Sequence, residues 1–98
     1  MARYFFDTSA LVKRYHPEPG TQVVLAMFGE RGATIRVSRL ALVECVSAFC
    51  VKVRSGHLTP ARLTVVRKFL WGDTKRDRLL VTRVLVSLTS KVYRRSIR

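Results

Sequence analysis

The sequence predicts an α/β domain with a parallel sheet, and three observations carry the prediction. Short apolar runs at residues 4–6, 34–37 and 79–81 alternate with longer segments of helical periodicity. The first of these runs is continuously apolar, as expected of a strand covered on both faces. Residues able to cap a helix, Asp7, Ser38 and Thr82, stand where each run gives way to a helical segment. At 98 residues the chain is long enough for one domain and not for two.

The elements follow in order. Residues 4–6 (YFF) form the first strand, and Asp7, Thr8 and Ser9 can each cap the helix of residues 10–15, where Leu11 and Tyr15 share a face. The prolines of HPEPG break that helix, because each disfavours helical backbone in the residue before it. A short helix runs from Thr21 or Gln22 to about Phe28, closed by Gly29 and Gly32. Residues 34–37 form the second strand, although Arg36 sits awkwardly in a fully buried one. Ser38 caps a helix over residues 39–54, with Leu42, Val46, Phe49 and Val53 as its apolar stripe. Thr59-Pro60 opens the next helix with a hydroxyl cap and proline at the first position; Leu63, Val66 and Leu70 form its inner face, and Gly72 is the expected stop. Residues 73–78 read as a charged loop and residues 79–81 as the third strand. A last helix after Thr82 carries Leu85, Leu88 and Val92 on one face.

Charge narrows the partners. The chain has 19 Lys+Arg against 6 Asp+Glu, a formal net charge of +13. Residues 1–51 contribute +2 of that excess and residues 52–98 contribute +11. Such a balance points to a polyanion, meaning RNA, DNA or an anionic membrane face. No run of 18 apolar residues suggests a membrane span. Arg3 and Asp7 interrupt the amino terminus before a signal-peptide core could form. Cys45 and Cys50, about 140° apart around one helix, cannot bridge each other, and neither has zinc-ligand spacing. Two buried, reduced thiols fit a cytoplasmic protein.

Two carboxylates are candidates for chemistry. Asp7 lies at the carboxyl end of a strand, where ligands of α/β folds bind, although an aspartate between a strand and a helix is usually just a helix cap. Glu44 lies about two turns into an otherwise apolar helix, either solvated at the edge of the apolar face or buried beside a partner. If the first two strands are parallel neighbours, both acids approach one sheet edge. Oxygen ligands converging there would suit Mg²⁺ or Mn²⁺ and metal-assisted phosphodiester hydrolysis. Nothing resembles a phosphate-cradling loop, and His16, His57, Ser9 and Ser47 lack a nucleophile pattern. Trp71 reads as a packing residue rather than a base-stacking platform.

The segments MARYFFDTSALVKRYHPEPG and VSRLALVECVSAFCVKVRSGHL resemble the PIN-domain ribonucleases, the VapC-type toxins of toxin–antitoxin pairs. The similarity continues more weakly through residues 79–81. It implies a three-layer α/β/α fold around a parallel sheet, and cleavage of RNA with Mg²⁺ or Mn²⁺. It matches Asp7 and Glu44 to the first two metal-binding acids, and Thr8 and Ser9 to hydroxyls that support them. Lys13, Arg14 and Arg39 are then candidate RNA contacts, and a cognate antitoxin protein is the expected partner. The family's third acid lies in a stretch like LR-x-x-D that opens a further helix. Ile97-Arg98 resembles its beginning, so the single domain of residues 1–98 is expected to be incomplete at its carboxy terminus. Its later strands would then be absent and the first strand left as an unpaired edge, favouring a homodimer or aggregation. Two alternatives stand beside the nuclease: an inactive remnant that binds RNA or antitoxin, and a small basic nucleic-acid-binding protein in which Asp7 is only a cap.

Overall fold

The computed structural model of the chain describes residues 2–82 and 96–97. Its elements are β1 (Arg3–Phe6), α1 (Thr8–Tyr15), α2 (Thr21–Gly29), β2 (Thr34–Ser38), α3 (Arg39–Arg54), α4 (Pro60–Lys75), β3 (Leu80–Thr82) and β4 (Ser96–Ile97). The strands form one sheet in the order β3-β2-β1-β4, with every pairing parallel. The α/β class and parallel sheet expected from the sequence are therefore present. The last predicted helix, with Leu85, Leu88 and Val92, lies outside the described residues.

Register explains which strand residues face the core. Phe6 pairs with Val37, and Val37 with Val81, so Tyr4, Phe6, Ile35 and Val37 share one face. That face meets Leu11, Val24, Cys45, Phe49, Val66 and Leu70 from the four helices in a single apolar cluster. The crossovers from β1 to β2 and from β2 to β3 step the same way across the sheet. Right-handed connections would carry both pairs of helices to one face, in agreement with that single cluster. Phe5 is also buried but lies outside the cluster, on the alternate face, in register with exposed Arg36. Arg36 is accommodated because its side chain is exposed, with no described helix packed over it.

Several helix boundaries follow directly from local chemistry. The Ser38 hydroxyl accepts the Ala41 N–H at 2.9 Å, and the Thr59 hydroxyl accepts the Arg62 N–H at 3.1 Å with Pro60 at the first helical position. Helix α3 ends where Gly56 adopts φ +80°, a left-handed conformation that costs glycine little. Bonds from Gly56 N–H to Val53 C=O and from His57 N–H to Lys52 C=O close the turn.

Four expectations are corrected. Helix α4 does not stop at Gly72; it runs to Lys75 and ends where Asp77 takes φ 58°. A glycine within a helix costs only about 1 kcal/mol, and Asp73, the very next residue, is buried and bonded to α1. Residues 73–75 are therefore helix and not loop. The buried stripe of α3 is Ala41, Leu42, Cys45 and Phe49, with Val46 and Val53 half-buried, because the small Cys45 takes the fully enclosed position. Cys50 is half-buried rather than buried. Finally, β1 is not an edge: β2 flanks it on one side, and Ser96–Ile97 pairs with Phe5 and Phe6 on the other, as a strand rather than a helix start. No described helix is long and apolar enough to cross a membrane.

Candidate functional site

The in-register pairing of Phe6 with Val37 brings the ends of β1 and β2 to the same sheet edge. Helices α1 and α3 start there. The neighbours of β1 on its two sides, β2 and β4, are reached in opposite directions, so its carboxyl end is a switch point of the sheet. Open α/β sheets bind ligands at that place.

Asp7 occupies it. Its Oδ1 accepts the Ala10 N–H at 3.0 Å, capping α1, and the Ser9 hydroxyl at 3.3 Å. Thr8, the next residue, donates its hydroxyl to Glu44 Oε1 at 2.6 Å. The acid on the second turn of α3 thus reaches the first turn of α1, beside Asp7. Glu44 is exposed, Ser9 is exposed, and Asp7 and Thr8 are half-buried. Of the two placements the sequence allows for Glu44, the solvated edge is the one observed, with a hydroxyl partner added.

The donor chemistry fits a hard divalent cation. Two carboxylates and a hydroxyl are oxygen ligands, and Mg²⁺ is commonly held by one or two carboxylates, its remaining positions taken by waters and substrate phosphate oxygens. Among the described residues no group of three or more His, Cys, Asp or Glu gathers around a common point. Asp7 and Glu44 would have to hold such an ion as a pair.

The three candidate RNA-contacting cations differ in their surroundings. Arg39 is exposed at the start of α3 and lines a groove of about 430 Å³ with Val43, Val46, Trp71 and Val81. Lys13 pairs with Glu18 at 3.4 Å. Arg14 turns inward: Nε and Nη2 donate to Asp73 at 3.3 and 3.4 Å, and its guanidinium carbon lies 4.0 Å from the Phe28 ring centre. It bridges α1, α2 and α4. Trp71, expected to pack, is 46% exposed.

Sequence reasoning missed Asp73. The Tyr15 hydroxyl donates to its Oδ2 at 2.6 Å, and the Asp73 carboxylate is 6% exposed at residue level. Burial, then the bond to Asp73 and its charge, hold the Tyr15 phenol well above its ordinary ionisation range, with Arg14 opposing. One signal was available: Asp73 lies three residues beyond Leu70 and seven beyond Val66, on the apolar stripe itself. His16 packs edge-on against Phe49 with ring centres 6.2 Å apart, and the His57 Nδ1 lies 2.8 Å from the Ser55 hydroxyl. Neither approaches the acid pair through a hydrogen bond.

No family model and no curated protein sequence matches this chain.

Proposed function

We propose that the chain is a PIN-like, metal-dependent ribonuclease in which Asp7 and Glu44 together hold Mg²⁺ or Mn²⁺. The observation that supports this reading most is the Thr8–Glu44 hydrogen bond, which draws the acid of α3 to the turn that carries Asp7. A cation held there would neutralise charge on a scissile phosphate and activate a water for phosphodiester hydrolysis. The protein's own contribution is positional. Ser9 and the Ala10 N–H fix Asp7 through Oδ1, while Thr8 aims Glu44. These second contacts hold the carboxylates where a ligand set needs them. The net charge of +13 supplies long-range attraction for RNA, independent of its sequence. Within this reading the protein is the toxin of a toxin–antitoxin pair, and an antitoxin protein is its partner.

One observation favours a second reading. The Asp7 Oδ1 bond to the Ala10 N–H is an ordinary N-cap, which a basic RNA-binding protein without nuclease chemistry would also possess. Incubating single-stranded RNA with the protein in Mg²⁺ or Mn²⁺ separates the two. The nuclease cleaves, is silenced by EDTA and loses activity in Asp7→Asn. Cleavage that persists in EDTA, or an Asp7→Asn variant as active as the parent, contradicts the proposal.

A further inference from the structure

Helix α4 carries a stripe that its packing does not explain. Arg62, Phe69 and Arg76 are spaced by seven residues, so they follow one line along the helix with a drift of about 20° per step. The line runs beside the buried positions Val66, Leu70 and Asp73 rather than through them. Phe69 is 60% exposed, and Arg62 and Arg76 are exposed on either side of it. Arg76 does not extend away from the helix: its Nη1 folds back to lie 2.8 Å from where a Cβ on Gly72 would stand. That places its guanidinium one turn from Phe69. Across from Arg62 and Phe69, Arg14 and Tyr15 of α1 complete a groove of about 240 Å³, with Arg76 outside its lining.

Electrostatics selects the kind of ligand. The acid lining the groove, Asp73, is already matched by the Arg14 guanidinium and the Tyr15 hydroxyl. Neither Arg62 nor Arg76 has an ion-pair partner among the described residues. The line therefore presents two uncompensated cations with an open aromatic ring between them. Phosphates on guanidinium groups and a base on a ring is the pattern by which proteins hold single-stranded nucleic acid.

We infer that the α1–α4 groove, continued along α4 to Arg76, is a docking strip for single-stranded RNA, with Arg62 and Arg76 on phosphates and Phe69 stacked on a base. This deepens the ribonuclease reading and rests on it for the identity of the nucleic acid. Arg14 and Tyr15 close the far end of α1, about 12 Å along the helix axis from Asp7, so the strip lies apart from the acid pair. It acts as an exosite that binds the strand without touching the bond that breaks.

The test is fluorescence anisotropy of a labelled oligouridylate in EDTA, where binding is read without cleavage. Phe69→Ala weakens binding about tenfold, and Phe69→Trp restores it. Arg62→Gln lowers the slope of log affinity against log salt by about one. Circular dichroism melting checks that the variants fold, which the exposure of both side chains favours. Parent-like affinity in both Phe69→Ala and Arg62→Gln overturns the inference, as does a parent that does not bind the oligonucleotide. A polyglutamate peptide that binds the strip while oligouridylate does not identifies a protein-binding surface and overturns it too. The two proposals fail separately. A protein that binds through Phe69 but never cleaves in Mg²⁺ refutes the nuclease and keeps the strip. One that cleaves with Asp7 dependence yet ignores Phe69→Ala does the reverse.

Discussion

The Thr8 hydroxyl donates to Glu44 Oε1 across 2.6 Å, joining the first turn of α1 to the second turn of α3. Thr8 is only half-buried and Glu44 is exposed, so water competes for both groups. A hydrogen bond in that setting adds little net stability, on the order of 1 kcal/mol or less. Its consequence is orientation, because it turns an acid that could point anywhere on the α3 surface toward Asp7.

Thr8→Val keeps the shape and deletes the donor. The unfolding free energy should change by less than about 1 kcal/mol, because Glu44 stays solvated. Cation affinity should fall about tenfold or more, as expected on losing a residue that orients a ligand. Urea denaturation and a Mn²⁺ titration on the same preparations check both halves. A Thr8→Val variant with parent-like affinity would mean that the bond is incidental.

Asp73→Ala should be among the most damaging single changes. It leaves the Tyr15 hydroxyl buried without this acceptor and removes the partner of Arg14, whose side chain is 19% exposed against 8% for Asp73. Breaking a largely buried pair of this kind costs about 3 kcal/mol, and Tyr15→Phe, which removes one bond, about 1 kcal/mol. Equilibrium unfolding in urea measures both. A cost below about 1 kcal/mol for Asp73→Ala would show that the triad does not hold α1 to α4.

Alkaline pH should weaken the fold through two buried acids. Burial pushes the Cys45 thiol up to about 12 from an ordinary value of 9.0, and the Tyr15 phenol is raised from 10.0. Both groups lose their protons earlier in the unfolded chain than in the folded one. Their stabilising effect is complete below about pH 9, fades as pH rises toward 12 for Cys45, and fades from about pH 10 upward for Tyr15. Unfolding measured across that range should show a shallower decline in Cys45→Ala and in Tyr15→Phe than in the parent. Parallel pH profiles would contradict the assignment.

Much of this was legible in the sequence, for local reasons. Ser38, Thr59 and Pro60 act on the N–H groups within one turn of themselves, so their roles follow from the order of residues. The end of α4 did not follow. Gly72 looks like a stop, but whether a helix passes through glycine depends on what the residues after it touch, and Asp73 touches Tyr15 and Arg14 some 58 residues away in the chain. The actual stop is Asp77 at φ 58°, and an aspartate signals the left-handed conformation far less plainly than a glycine does. Asp7 was visible as a strand-end acid. Its proximity to Glu44 depended on the β1–β2 register, which only the assembled sheet supplies. Arg14 illustrates the opposite failure: a surface cation by sequence, it is drawn inward by an acid that the sequence places in a loop.

Asp7→Ser separates the two duties of Asp7. Serine caps a helix about as well as aspartate, so stability should stay within about 0.5 kcal/mol of the parent. It cannot supply a carboxylate, so divalent-cation binding should be lost. Thermal melting with and without Mn²⁺ reads both at once, through a stabilising shift present in the parent and absent in the variant.

The most direct measurement is a calorimetric titration of the intact protein with Mn²⁺, run beside Asp7→Asn and Glu44→Gln. Saturable, site-specific heat is expected in the parent, abolished by either substitution while both variants remain folded. Heat that survives both substitutions, or a parent that shows none, would contradict the pairing of Asp7 and Glu44 in a single cation site.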